Sequence, residues 1–272
     1  MPGNPAELRI ILRGAGDLAT GVALRLYRAG LRRMLLLEMP QPLAVRRLVS
    51  FCEAVPLGKL EVEGITACRI HSPAHWQQAV AGDKIPVLVD PGGDSINELR
   101  PDVVIDAIMA KRNLGTRITD APLVIGLGPG FTAGRNVHCV IETMRGHTLG
   151  RVIHEGAALA DTGVPGTIGG YSSERLLRSP AAGIFTTDHD IGDSVAAGDT
   201  VGRVGDRKVR ARISGTLRGL LRTESPVTAG TKLGDIDPRN KPGNCTLVSD
   251  KALAIGGGVL EAILGRHTGN GR

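Results

Sequence analysis

At 272 residues, with 42% apolar residues and 38 glycines, the chain is long enough for two modest, turn-rich domains with their own cores. No apolar run approaches the ~20 residues of a membrane span, because Gly, Arg or Asp interrupts each one, and Met1-Pro2-Gly3-Asn4 lacks the basic start and apolar core of an export signal, so a soluble, cytoplasmic protein is expected. The net charge of +6 points to a small anionic ligand or an acidic protein partner, whereas six aromatic residues and the lack of any nucleic-acid motif argue against nucleic acid.

The first predicted unit is a strand, a glycine turn, a helix and a second strand. Ile10-Ile11-Leu12 leads into Gly14-Ala15-Gly16-Asp17-Leu18-Ala19, then Val22, Leu24, Leu26 and Tyr27 precede Gly30, and Met34-Leu35-Leu36-Leu37 delivers Glu38. This order fits the dinucleotide-binding fingerprint, whose third glycine position admits alanine. Gly14 allows the tight turn, Gly16 lets a pyrophosphate approach bare backbone, and Ala19 keeps the helix close to the strand. Asp17 opens the helix whose free amides and dipole favour phosphate. Glu38, 19 residues after Ala19, is placed to accept hydrogen bonds from a ribose diol, which favours NAD over its 2′-phosphorylated form. Arg46 and Arg47 keep that choice open. The alternative is a glycine turn that is only structural.

Next come Val87-Leu88-Val89-Asp90 and Val103-Val104-Ile105-Asp106, apolar runs that each end in an aspartate. Ligands of open parallel sheets sit beyond the carboxyl ends of the strands, so Asp90 and Asp106 are expected at the rim that carries Gly14 and Gly16. Lys111, Arg112 and Asn113 follow, two cations and an amide donor suited to phosphate oxygens. The plainer account has Asp106 capping a helix and the cations solvated. Leu123-Val124-Ile125 leads into Gly126-Leu127-Gly128-Pro129-Gly130, in which Gly128 and Gly130 serve either a plain turn or a second cradle for phosphate or a pterin. In the strand-like run from Val137 to Met144, His138 and Cys139 fall on opposite faces, so a packed thiol is favoured over a thiolate nucleophile or soft metal ligand. The cysteines at 52, 68, 139 and 245 form no CxxC pair, and no metal site is expected.

The C-terminal half carries a duplication. Gly183, Val195, Ala197, Gly198 and Gly202 recur 32 residues later as Gly215, Val227, Ala229, Gly230 and Gly234. Two copies of short strands broken by glycine turns predict a biotinyl/lipoyl-like barrel-sandwich module over 178–237. Lys208, near the tip of the connecting hairpin, lacks flanking methionines and is rejected as an acylation site. Lys208, Arg210 and Arg212 alternate along that basic hairpin, which reads equally as a solvated edge or as a docking surface for an acidic partner. Lys251 to Leu264 has helical periodicity despite Gly256-Gly257-Gly258, whose presence suggests close approach of another backbone. The expected architecture is therefore α/β: a Rossmann-like nucleotide-binding domain over 1–123, a β-rich connection over 124–177, the barrel-sandwich, and over 238–272 a helix packing back.

GAGDLATGVALRL, DAIMAKRNLGT, PLVIGLGPGFTAG, VHCVIETMRGH, GVPGTIGGY and SDKALAIGGGVLEAI, spread from about Arg9 to Leu264, resemble the YqeB family, accessory proteins of the selenium-dependent molybdenum hydroxylase system. The resemblance implies a maturation factor that handles a molybdopterin-type cofactor and docks on the apo-molybdenum hydroxylase. An NAD-dependent oxidoreductase and a non-catalytic scaffold are the alternatives. No residue pattern assigns a reaction or a catalytic residue.

Overall fold

The computed structural model describes residues 3–267, which fall into two compact units. The first takes residues up to Pro42, Ser50–Asp161 and those from Val248 onward, and the second takes Leu43–Val49 and Thr162–Leu247. Among the described residues no helix is long and apolar enough to cross a membrane.

In the first unit, β1 (Ile10–Arg13) turns into α1 (Asp17–Arg28) and the chain returns as β2 (Met34–Glu38). There follow α2 (Ala54–Leu57), a hairpin of β3 (Lys59–Val62) and β4 (Ile65–Ile70), α3 (Trp76–Ala81), β5 (Ile85–Val89), α4 (Asp94–Leu99), β6 (Val103–Asp106), β7 (Leu123–Leu127), β8 (Cys139–Ile141) and β9 (Val152–Ile153). The nine strands form one sheet in the order β3-β4-β5-β2-β1-β6-β7-β8-β9. From β4 to β8 all neighbours are parallel, while β3 and β9 pair antiparallel at the two edges. Every residue of β1, β6 and β7 is buried, as continuous apolar runs in the middle of a covered parallel sheet should be.

The expected Rossmann-like domain ending near Leu123 is corrected by this topology. The sheet is mixed, and Leu123 starts β7 inside it rather than marking a boundary. A doubly wound domain also needs a helix after each strand. Here α3 and α4 have six residues each, and no helix joins β6 to β7 or β7 to β8. The periodicity of apolar runs announces strands well but says little about what connects them.

The second unit holds β10 (Leu176–Arg178), β11 (Gly183–Thr186), β12 (Ser194–Val195), β13 (Thr200–Val204), β14 (Arg207–Arg210), β15 (Gly215–Leu220), β16 (Ser225–Val227) and β17 (Lys232–Asp237). They make two four-stranded antiparallel sheets, β10-β17-β15-β12 and β14-β13-β11-β16, in place of the expected biotinyl/lipoyl-like barrel-sandwich. The 32-residue offset extends to β10 and β14 as well (176–178 against 208–210), so each strand of one sheet has its counterpart in the other. The repeated residues do take equivalent positions. Gly183 faces Val227 across β11 and β16, and Val195 faces Gly215 across β12 and β15, so each copy lends a strand to the other's sheet. Phe185, Val201, Leu217, Leu220, Leu233 and Ile236 fill the core, with Val45 from 43–49 packed against them. On β14, Val209 is buried while Arg207, Lys208 and Arg210 are exposed.

The last helix of the first unit, α5 (Asp250–His267), packs on α1. Its three consecutive glycines differ in what surrounds them. A Cβ on Gly256 would meet Gly21 O at 3.0 Å and Val22 Cα at 3.2 Å, and one on Gly258 would run into Gly150 O, whereas Gly257 has nothing within 4 Å. Opposite signs are therefore expected at adjacent positions. Gly258→Ala overfills a closed contact and destabilises by about 1–3 kcal/mol. Gly257→Ala only improves helix propensity and stabilises by up to about 1 kcal/mol. Urea denaturation of the two variants beside the parent measures both, and equal shifts would mean that α5 does not lie this close to Gly150.

Candidate functional site

The glycine turn after β1 is filled from within. Gly14 N donates to Leu37 O at 2.7 Å, and the residue takes φ +97° where a Cβ would meet Ala107 O at 3.0 Å. This glycine is therefore required by the neighbouring end of β6. Glu38 folds back on the turn: Ala15 N donates to its Oε2 at 2.9 Å and Met39 N to its Oε1 at 2.8 Å. Burial raises the Glu38 pKa, and these two amides offset part of that rise. Cys52 lies against the same turn, its N–H donating to Ala15 O at 2.8 Å. Burial pushes the Cys52 thiol well above its ordinary range, and the charges of Glu38, Glu53 and Asp17 push it further.

A dinucleotide diphosphate needs bare amides, and one of them is already spent on a carboxylate. A phosphate charge ~4 Å from Glu38 would be repelled by about 4 kcal/mol at an effective dielectric of ~20, more than the ~2 kcal/mol at most that a helix end contributes. Ala19 is buried, as close packing of α1 on the sheet requires. Gly16 has nothing within 4 Å of its Cβ position and gives α1 no side-chain cap.

The aspartates expected at the rim are engaged in holding the backbone. Asp90 accepts from Gly93 N at 2.9 Å, Asp94 N at 3.1 Å, Ser95 N at 2.8 Å and Ser95 Oγ, and so caps α4. Burial tends to raise its pKa, but these bonds outweigh burial and hold the carboxyl below its usual range. Asp106 is buried at 2% exposure, accepting from Thr116 Oγ1 at 2.6 Å and Ile108 N at 3.1 Å, with Arg13 Nη1 at 3.5 Å. Burial dominates there and raises its pKa despite Thr116, Ile108 and Arg13. Asn113 accepts from Gly115 N at 2.9 Å and Thr116 N at 2.8 Å and donates to Thr116 O at 2.7 Å, so its amide closes the loop instead of meeting a ligand. Gly130 has φ +109° because Arg112 N and Cα would lie 2.8 Å from a Cβ, and Gly128 is held similarly against Thr143. Arg112 itself is exposed. The glycine loop is thus a close-packed turn.

Lys111 leads instead to a cluster of charges that sequence reasoning did not assemble. Met109 and Lys111 are both left-handed at φ +63°, at about 1–2 kcal/mol each for non-glycine residues. Lys111 Nζ lies 3.6 Å from Asp161, and Arg145 makes a two-pronged pair with Asp250 at 2.9 and 3.0 Å. Glu142, buried at the end of β8, positions the segment before Arg145 by accepting from Thr143 N and Met144 N, each at 2.7 Å, and from Leu159 N at 2.9 Å. Between these groups stands Lys251, half-buried in the first turn of α5, where Ser249 Oγ accepts from Ala252 N at 3.2 Å. Lys251 has no hydrogen bond or ion pair among the described residues. Burial lowers its pKa, Lys111 and Arg145 lower it further, and Asp17 and Asp161 act in the opposite sense.

The remaining candidates are inert. Cys139 is buried and pushed up to about 12 by burial, against a weaker pull from Arg266, so no thiolate forms near neutrality. His138 accepts from Val124 N through Nδ1 at 2.9 Å, and burial lowers its pKa. Among the described residues no group of three or more His, Cys, Asp or Glu side chains is placed to hold a metal ion.

The chain is similar to the uncharacterized protein YqeB of Escherichia coli K12, 49% identical over 264 residues that make up 97% of this chain and 49% of YqeB. It therefore spans about half the length of that curated relative. The YqeB resemblance stands at this level, and an uncharacterized relative carries no link to selenium or molybdenum hydroxylases. No protein-family model matches the chain. Similar solved structures include the product-bound ectoine utilization protein EutE (DoeB) of Ruegeria pomeroyi, 14% identical, covering 86% of each chain with a TM-score of 0.26. A succinylglutamate desuccinylase/aspartoacylase of Rhodobacter sphaeroides is also 14% identical, covering 86% of this chain and 87% of that one with a TM-score of 0.27. A third, an aspartoacylase family protein of Mesorhizobium loti, is 14% identical over 85% of each chain, with a TM-score of 0.27.

The expected functions (molybdenum hydroxylase maturation factor, NAD-dependent oxidoreductase, non-catalytic scaffold) are corrected on the geometry of the site, since desuccinylase- and aspartoacylase-type neighbours at TM-scores of 0.26 and 0.27 carry no argument about this chain. At these TM-scores the likeness transfers no hydrolase activity to this chain. The decisive physical objection to a nicotinamide or molybdopterin dinucleotide is the occupied turn at Ala15.

Two expectations follow for the buried carboxylates. Asp106→Ala leaves Arg13 as an uncompensated buried charge and lowers unfolding free energy by about 3–5 kcal/mol, measured by urea denaturation; a loss below ~1 kcal/mol would mean that the pair is open to water. Because the folded pKa of Asp90 is depressed, its stabilisation is fully present above the unfolded value and disappears as pH falls through the folded one. The stability gap between the parent and Asp90→Asn should therefore be constant near neutrality and close in acid, and a pH-independent gap would contradict the capping role.

Proposed function

We propose that this chain binds a small anionic ligand, a phosphate or a carboxylate, at the carboxyl end of the parallel strands. Lys251, Lys111 and Arg145 are the cationic contacts, with the uncapped first turn of α1 beside them. The observation that carries this reading is the cluster at the start of α5, where Lys111 and Arg145 are held by exposed aspartates and the half-buried Lys251, acted on by both cations and by Asp17 and Asp161, makes no ion pair among the described residues. Such a group is stabilised by an incoming anion more than by any contact it already has. The competing carboxylates are weak obstacles. Asp161 and Asp250 are exposed, and exposed pairs contribute about 0–1 kcal/mol, so a ligand displaces them at little cost. A hydrogen bond between charged partners contributes about 1.5–3 kcal/mol, which decides the balance in favour of the ligand.

Calorimetric titration with phosphate, pyrophosphate and succinate tests the reading. At least one of the three should bind, and Lys251→Ala should weaken it about tenfold or more, a loss of ~1.4 kcal/mol. Gly16→Ala, whose Cβ meets no protein atom within 4 Å, should leave stability intact and reduce affinity by crowding the first turn of α1. Absence of binding to all three anions, or parent-like affinity in Lys251→Ala, would overturn the proposal.

A further inference from the structure

The two sheets of the second unit are counterparts at an offset of 32 residues, and they differ in what their outer faces carry. The cross-strand register is kept in both. Leu176 faces Asp235 across β10 and β17, and Lys208 faces Arg203 across β14 and β13. In the first sheet Asp235 is buried at 1% exposure between two guanidinium groups. Arg175 Nη1 donates to its Oδ1 at 2.6 Å and Arg218 Nε to its Oδ2 at 3.0 Å, while Arg175 Nη2 donates to Gly166 O at 3.1 Å. The chain itself therefore covers that carboxylate and satisfies it.

The counterpart face is bare and its charge is reversed. Arg203 stands where the twin sheet has Asp235, Arg207 where it has Arg175, and Thr186 where it has Arg218. All three are exposed, as is Lys208, and the side chains of Arg203, Arg207 and Lys208 make no hydrogen bond or ion pair among the described residues. No Asp or Glu occurs in β11, β13, β14 or β16; Asp206 and Glu224 stand in the turns before β14 and β16. Like charges directly opposite on neighbouring strands destabilise a sheet. A charged edge that wards off other strands accounts for Lys208 and Arg210 on β14, but Arg203 lies on β13, an interior strand. The same face exposes Ile184 on β11, at 49%, and its cross-strand neighbour Pro226 on β16.

We propose that this face binds an acidic segment of another protein, whose carboxylates meet Arg203, Lys208 and Arg210 and whose apolar side chains cover Ile184 and Pro226. The segment supplies from outside the carboxylate that Asp235 supplies within the twin sheet. Nucleic acid would match the charge but not the rest of the surface. The aromatic residue of the four strands, Phe185, is buried, so no base finds a ring to stack on. This face lies wholly in the second unit and shares no residue with the cluster around Lys251.

Fluorescence anisotropy of the full chain is measured with a short labelled peptide of alternating glutamate and leucine. A peptide with lysine in place of glutamate and a single-stranded oligonucleotide of the same charge as the acidic peptide are measured alongside. The acidic peptide should bind, the lysine peptide should not, and affinity should fall as salt is added. Arg203→Asp restores the arrangement of the twin sheet. It should weaken the acidic peptide about tenfold or more, while the free chain becomes no less stable to urea because a like-charge pair is gone. Lys208→Glu, at the sheet edge, should weaken the peptide likewise. No binding of the acidic peptide, parent-like affinity in both variants, or tighter binding of the oligonucleotide than of the acidic peptide would overturn the proposal.

Discussion

The contact between Gly21 of α1 and Gly256 of α5 governs the chemistry of this rim. With no side chain between them, the helices approach until Gly21 O would lie 3.0 Å from a Cβ on Gly256. Contacts advance in step along both helices, with Gly21 against Ala252 and Arg25 against Gly256 and Leu253, so the helices run in the same direction. Their amino ends therefore lie side by side, each carrying about half a positive charge. Asp17 and Asp250 in the two first turns answer part of that charge. Lys251 adds to it, and the loops bearing Lys111 and Arg145 add more. An anionic ligand at the proposed site would add to what these two carboxylates supply.

The neighbouring glycine turn, which carries the more familiar pattern, is closed by contacts of its own. Glu38 sits at the last position of β2, opposite the turn, and its carboxylate finds an unpaired amide on Ala15 within hydrogen-bond distance. Cys52 closes the other side, surrounded by carboxylates. The turn is thus acidic and filled, whereas the cluster around Lys251 sets three cations among the carboxylates of Asp17, Asp161 and Asp250. Position along the sheet edge is shared, but the chemistry is not.

How far the sequence shows this depends on the range of the interaction. The apolar runs at Ile10, Met34, Val87, Val103 and Leu123 are legible as strands because burial in a parallel sheet demands continuous apolar residues. The close approach at Gly256 and Gly258 is legible because only glycine tolerates it. What Glu38 bonds to is not legible: the spacing from Ala19 fixes where the carboxylate stands, and a rotamer decides whether it faces a ribose or the turn. Asp90, Asp106 and Asn113 mislead similarly, since a carboxylate or amide after a strand serves a cap, a buried arginine or a loop as readily as a ligand. Lys251 was out of reach altogether. Its burial depends on a helix returning across most of the chain to meet α1, and nothing local to residues 249–252 marks it. The hairpin strands β3 and β9 were missed because short edge strands carry too few residues for a period to show.

The central claim is that Lys251 is a half-buried ammonium, making no ion pair among the described residues, beside two further cations, and side-chain NMR of selectively labelled lysine measures it directly. The resonance assigned through Lys251→Arg should titrate below the ordinary lysine value of 10.5 in the free protein. It should move upward when phosphate is added, because an anion binds the protonated form preferentially. A Lys251 that titrates with the surface lysines and ignores phosphate would contradict the account.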